Sequence, residues 1–133
     1  MNAKKILVVE DDKVTQKLIS GALKSAGYQV FTAEDAVMAV QVARTEEPDL
    51  VTLDIGLAIS SPGDAWDGFT VAGWLRRLNQ GREGPPKPVI VVVSGLEPDK
   101  IIEKAAAIGA YTFLPKPFDK QKLLNVVAEA LKP

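Results

Sequence analysis

Residues 6–12 read Ile6-Leu7-Val8-Val9-Glu10-Asp11-Asp12, four aliphatic side chains in unbroken succession followed by three acids. A half-exposed strand alternates apolar and polar residues, whereas a continuous β-branched and leucine run predicts a strand covered on both faces, as in a parallel sheet. The same grammar recurs downstream. Leu50-Val51-Thr52-Leu53 runs into Asp54, Val89-Ile90-Val91-Val92-Val93 into Ser94, and Tyr111-Thr112-Phe113-Leu114 towards Lys116. In a parallel α/β sheet the carboxyl ends of neighbouring strands open onto one crevice. Carboxylates from Glu10, Asp11 and Asp54, the Ser94 hydroxyl and the Lys116 ammonium are therefore expected to share a pocket.

Between these runs the periodicity becomes helical. Val14, Leu18, Ala22 and Leu23 recur at helical spacing and predict a core face, with Lys13, Lys17 and Lys24 on the other side and Gly27 as the stop. Tyr28 to Ala33 reads as a second strand, and Ala36 to Thr45 as a second helix closed by Pro48. A long Gly, Ser and Pro segment follows Asp54, ahead of a helix around Phe69 to Leu78 in which Trp74 is expected to pack. Residues 81–88 carry too many Gly and Pro for regular structure and predict a surface loop.

Val89 to Val93, the most apolar run, predicts a central strand. A helix from about Pro98 to Ile108, a strand at Tyr111 to Leu114 and a last helix from about Asp119 to Leu131 complete five βα units. The fold class is thus α/β, a doubly wound five-stranded parallel sheet with five helices. Without repeats or linkers, residues 1–133 are expected to form one domain, and with Lys132-Pro133 directly after the last helix no output domain is expected within residues 1–133, whether the chain stands alone or belongs to a longer protein.

Composition removes several chemistries. A formal net charge of −1 gives no basic footprint for nucleic acid. The chain has no cysteine and no histidine, which excludes disulfides, thiolate chemistry, imidazole-ligated zinc and a Ser-His-Asp triad. Four consecutive aliphatic residues after Met1-Asn2-Ala3-Lys4-Lys5 are too few for a signal peptide or membrane span, so a cytoplasmic location is expected.

The order Ile-Leu-Val-Val-Glu-Asp-Asp, Pro-Asp-Leu-Val-Thr-Leu-Asp, Val-Val-Val-Ser-Gly and Gly-Ala-Tyr-Thr-Phe-Leu-Pro-Lys-Pro-Phe closely resembles the receiver domain of two-component response regulators, over almost the whole chain. Each fragment alone is weak; four in order, each at a strand end, are specific. The resemblance implies a flavodoxin-like sheet of strand order 2-1-3-4-5. It also implies a phosphorylation-dependent signalling switch in which Asp54 accepts a phosphoryl group from a phosphohistidine on a histidine kinase or phosphotransfer protein. The implied domain phosphorylates and dephosphorylates itself without turning over a separate substrate. A downstream protein partner, no nucleic acid or membrane, and a monomer or weak dimer complete the expectation.

The chemistry of these positions agrees with that role. A carboxylate such as Asp54 forms an acyl phosphate without prior deprotonation. Two unit charges 4 Å apart at an effective dielectric of 20 repel by about 4 kcal/mol, so Glu10, Asp11 and Asp54 call for a cation. Magnesium, with manganese as a substitute, suits a few hard oxygens plus water. By resemblance Asp11 and Asp54 bind it directly, the Gly56 carbonyl adds a ligand and Glu10 acts mainly through water. Asp12 stays open between a further metal ligand and the N-cap of the first helix.

Lys116 supplies a point charge for the carboxylate and then the phosphoryl oxygens. Its neighbour Pro117 is, by resemblance, the site of a cis peptide bond. Ser94 would donate its hydroxyl to the phosphoryl group and, with Phe113, form the switch that remodels the face of the fourth helix, fifth strand and fifth helix. An ordinary turn serine and a core phenylalanine are the plainer readings of these two. Tyr111 shares a side with Phe113 by alternation.

The chain departs from the family after Asp54. The Ala58–Trp66 segment makes this connection about six residues longer than usual, a change that surface loops tolerate. Trp66 there reads as an anchor, a partner contact or a lid. The alternative function is a haloacid dehalogenase-like, magnesium-dependent phosphohydrolase, whose Asp-x-Asp motif Glu10-Asp11-Asp12-Lys13-Val14 imitates with Glu in the nucleophile's place and without a cap segment.

Overall fold

The computed structural model describes residues 3–54, 73–77, 88–95 and 98–132. Its strands are β1 (Lys5–Val9), β2 (Gln29–Ala33), β3 (Leu50–Leu53), β4 (Val89–Ser94) and β5 (Thr112–Pro115). They form one sheet in the order β2-β1-β3-β4-β5, with every neighbouring pair parallel. Helices α1 (Lys13–Ser25) and α2 (Ala36–Glu46) follow the first two strands, and the helical stretch 73–77, α3, stands between β3 and β4. After β4 come α4 (Pro98–Ile108) and, beyond β5, α5 (Lys120–Ala130). Of the five helices expected, four have both ends within the described residues and the third is seen over 73–77.

The unbroken apolar runs are explained by cover on both faces. Leu7, Val9, Val51, Leu53 and Val92 pack with α2, Leu75 of α3, and Ala105 and Ile108 of α4. Ile6, Val8, Leu50, Val91 and Val93 point the other way, against Ile19 and Leu23 of α1 and Leu123 and Val127 of α5. Ile6, Leu7 and Leu50 are fully buried, and each such side chain contributes about 2 kcal/mol of hydrophobic stabilisation. Edge strand β2 has the thinner cover that its mixed sequence implies. Thr52 is the exception on β3: its buried Oγ1 has no hydrogen-bond partner among the described residues.

Four local expectations are corrected. Of the expected face Ala22 and Leu23 are buried, together with Ile19, spaced three and four apart, but Val14 and Leu18 are 67% and 66% exposed. The direction of the buried stripe is set by docking on the sheet, which the apolar count alone does not resolve. Trp74 lies at the surface with the Arg77 guanidinium 5.2 Å from its ring centroid, an amphipathic stack rather than core packing. Helix α2 runs to Glu46, one residue beyond the expected Thr45, and is capped before Pro48 by Glu47 in the left-handed conformation (φ 49°). Tyr28 and Tyr111 precede their strands rather than opening them.

After β1 the chain steps to one side to lay down β2, then crosses back to place β3 on the other side of β1. Such a reversal leaves a crevice at the strand ends. Register levels that edge: Val9 pairs with Leu53, and Ser94 with Pro115. The next residues, Glu10, Asp54 and Lys116, therefore emerge together. Among the described residues no helix is long and apolar enough to cross a membrane.

Candidate functional site

Backbone hydrogen bonds continue the ladders one step past the strands and aim the side chains. The Glu10 N–H donates to the Ala33 carbonyl at 3.0 Å, Asp54 N–H to Val9 at 3.2 Å, and Lys116 N–H to Ser94 at 2.8 Å. The Lys116 ammonium bridges the two resulting carboxylates, 2.6 Å from Glu10 Oε1 and 3.2 Å from Asp54 Oδ2. Glu10 is 1% exposed and Asp54 6%, while Asp11 stands open to solvent. One carboxylate oxygen from each of Glu10, Asp11 and Asp54 lies within 4.8 Å of the others.

These surroundings set the protonation of the pair. Burial pushes the Glu10 carboxyl up to about 7, and the Asp54 charge pushes the same way, against the opposing pull of the Lys116 ammonium. For Lys116, burial acts to lower the pKa, but contacts with Glu10 and Asp54 outweigh it and hold the value raised. A single ammonium thus neutralises only part of a three-carboxyl cluster. That donor set, all hard oxygen and partly open to water, fits a small divalent cation bound through few protein ligands.

Asp12 takes the capping role of its two readings. Its Oδ2 accepts from the Thr15 N–H at 3.0 Å and the Thr15 hydroxyl at 2.5 Å, and it is not one of the converging carboxylates. Those Thr15 contacts, the hydroxyl foremost, lower its pKa. Its own N–H donates to Glu10 Oε2 at 3.2 Å, so the cap also steadies the buried acid.

Ser94 is buried at the end of β4, 1% exposed, on the same edge as Asp54. The Lys116–Pro117 peptide bond is cis. Phe113 is half-buried against the cluster under α4, whereas Tyr111 is 54% exposed and so differs from its alternation partner. Gly56 and the Ala58–Trp66 segment lie outside the described residues.

Sequence reasoning overlooked Gln16, whose Nε2 donates to the Glu10 carbonyl at 3.0 Å and reaches that of Ala33 at 3.5 Å. It also overlooked a groove of about 650 Å³ between α1 and the start of α5, floored by Leu18, Ala22, Phe118 and Leu123 and edged by Lys17 and Lys120. Leu18, an apolar residue left exposed on α1, was the available signal for the groove.

Comparison with known proteins agrees with this geometry. The response regulator receiver domain profile matches residues 6–128. Chemotaxis protein CheY of Treponema pallidum (strain Nichols) is 31% identical over 131 residues, covering 96% of this chain and 83% of that protein. The transcriptional regulatory protein GlrR of Escherichia coli (strain K12) is 32% identical over 96% of this chain, which spans only 26% of GlrR. Among solved structures, the receiver domain of sensor histidine kinase PA1611 from Pseudomonas aeruginosa PAO1 superposes with a TM-score of 0.78 at 26% identity, covering 96% of this chain and 97% of that one. That structure holds a magnesium ion coordinated in its active site cleft. The phosphohydrolase alternative finds no support, since Glu10, in the nucleophile's place, is buried against Lys116. The chain therefore belongs to the response regulator receiver domains, the phosphorylation-dependent switches of two-component signalling.

Proposed function

We propose that Asp54 takes a phosphoryl group, in a magnesium-dependent reaction, from a phosphohistidine on a histidine kinase or histidine phosphotransfer protein, and that a downstream protein reads the modified state. The observation that carries this reading is the Lys116 ammonium held between Glu10 and Asp54 at the open end of the sheet. An Oδ of Asp54 forms the new bond to phosphorus as the P–N bond breaks, and the electron pair leaves on the imidazole nitrogen. Lys116, 3.2 Å from Asp54, then turns its charge to a phosphoryl oxygen, and the Ser94 hydroxyl donates to another.

Glu10, Asp11 and Asp54 would hold the magnesium ion, joined in the same reading by the Gly56 carbonyl. Bound there, the ion would neutralise charge between the carboxylates and the incoming group, and manganese would substitute. Water later returns Asp54 to the carboxylate, so the domain, proposed to span residues 1–133, turns over no separate substrate.

Signalling would run through β4 and β5. Ser94, drawn to the phosphoryl group, gives the half-buried Phe113 ring room to move inward against the cluster under α4. Without a hydroxyl, Phe113 acts only by packing, altering the surface of α4, β5 and α5.

Intact mass after incubation with magnesium and acetyl phosphate tests the reading. A single added phosphoryl group, absent in Asp54→Asn, is the expected result. Steady release of phosphate with no retained adduct would point to a hydrolase and sink it.

A further inference from the structure

The Glu10 and Asp11 side chains branch from the two ends of one rigid unit, the Glu10–Asp11 peptide plane. Whatever fixes the Glu10 carbonyl oxygen fixes the bearing of both acids. In this chain that oxygen is held from α1, by the half-buried Gln16 side chain at 3.0 Å. The same Nε2 reaches the Ala33 carbonyl at 3.5 Å, an oxygen that already accepts the Glu10 N–H at 3.0 Å. One carboxamide thus ties together the ends of β1 and β2. Its own backbone is set, because Gln16 N–H donates to the Asp12 carbonyl at 2.8 Å in the first turn of α1.

Residue type matters here. A primary amide nitrogen carries two N–H donors and can serve two carbonyls at once. An aliphatic side chain of similar length would leave both without that donor, and a glutamate would face them with acceptors. Thr15 and Gln16 divide the work: Thr15 secures the Asp12 carboxylate, and Gln16 secures the peptide before Asp11.

We propose that Gln16 is a positioning residue for the phosphoacceptor site, holding the Glu10–Asp11 peptide so that both carboxylates converge on the cation position beside Asp54. The inference rests on the magnesium-dependent reading of that site. Gln16 touches neither the phosphoryl group nor the metal; it acts through the backbone it holds.

The test compares wild type with Gln16→Met, which keeps length and removes the donors. Gln16→Asn, which keeps the amide but withdraws it by one methylene, serves if the Met variant does not fold. Two readouts are independent of phosphorylation activity. In chelator, hydrogen exchange of the Glu10 and Asp12 amides should quicken in the variant, while the amides of Leu7 and Val51 in the sheet interior keep their wild-type rates. In a magnesium titration followed by amide resonances, the Kd should rise about tenfold, the effect typical of removing a group that orients a metal ligand. A uniform rise in exchange across the sheet, or local exchange and a magnesium Kd both as in wild type, would overturn the proposal. If wild type itself binds no magnesium, the reading of the site fails. Gln16 is then judged by exchange at Glu10 and Asp12 alone, where wild-type rates in the variant would reject it.

Discussion

Glu10 illustrates how a single side chain makes stability depend on pH. Its folded-state pKa of about 7 lies above the ordinary 4.5, so the proton is bound more tightly in the folded chain than in the unfolded one. The resulting stabilisation is complete below pH 4.5 and is lost as the pH climbs through 7. In chelator, wild type should therefore lose stability relative to Glu10→Gln as the pH rises from 4.5 to 7.5, measured by urea unfolding. A constant difference across that range would show that Glu10 titrates normally. Thr52 offers a simpler case. Its hydroxyl is buried, without a hydrogen-bond partner among the described residues, between Val8 and Val91, its opposite numbers on β1 and β4. Leaving such a group unsatisfied costs about 1–3 kcal/mol, so the near-isosteric Thr52→Val should raise unfolding free energy by about 1 kcal/mol. Equal or lower stability in the same assay would mean that the hydroxyl is satisfied after all.

At the scale of elements, α4 is where the proposed switch has to appear. Its Ala105 and Ile108 share a cluster with Val92 and Phe113, so a change in the Phe113 ring repacks the underside of that helix. The beryllofluoride–magnesium complex, a stand-in for the phosphoryl group on Asp54, should shift the amide resonances of Ser94, Phe113 and the α4 backbone. Changes confined to Glu10, Asp11, Asp54 and Lys116 would mean that the switch stops at the crevice. The elements themselves were readable because β1, β3 and β4 carry apolar runs that only a doubly covered strand can bury. Glu10 and Asp54 were readable because each follows such a run, whereas β5 before Lys116 is only partly buried and that lysine was picked out by the Lys-Pro pair of the family resemblance. The orientation of α1 was not, since Val14 and Leu18 fit helical spacing as well as Ile19 and Leu23 do, and only docking on the sheet separates them. Gln16 escaped for a related reason. A glutamine in a helix is ordinary, and its meaning lies in two carbonyl oxygens that sequence does not display.

For the molecule as a whole, a cation held by the acidic cluster would link metal binding to folding. A cation that binds only the folded chain stabilises it by about 1.4 kcal/mol at ten times its Kd. Millimolar magnesium should therefore raise the calorimetric Tm, and Asp11→Ala should blunt the rise while leaving the fold intact, because Asp11 is exposed. Wild type and variant equally indifferent to magnesium would remove the assigned cation site. The long separations within the crevice carry a further consequence. Lys116 stands 106 residues beyond Glu10 and 62 beyond Asp54. At a synthesis rate of about 5–20 residues per second, the ribosome makes the last of the three acids roughly 3–12 s before the lysine that will bridge Glu10 and Asp54. A growing chain in that interval carries Asp54 but not the Lys116 side of the crevice around it. On the proposed reading, Asp54 would become able to accept a phosphoryl group only once β5 and its Lys116 have joined the sheet.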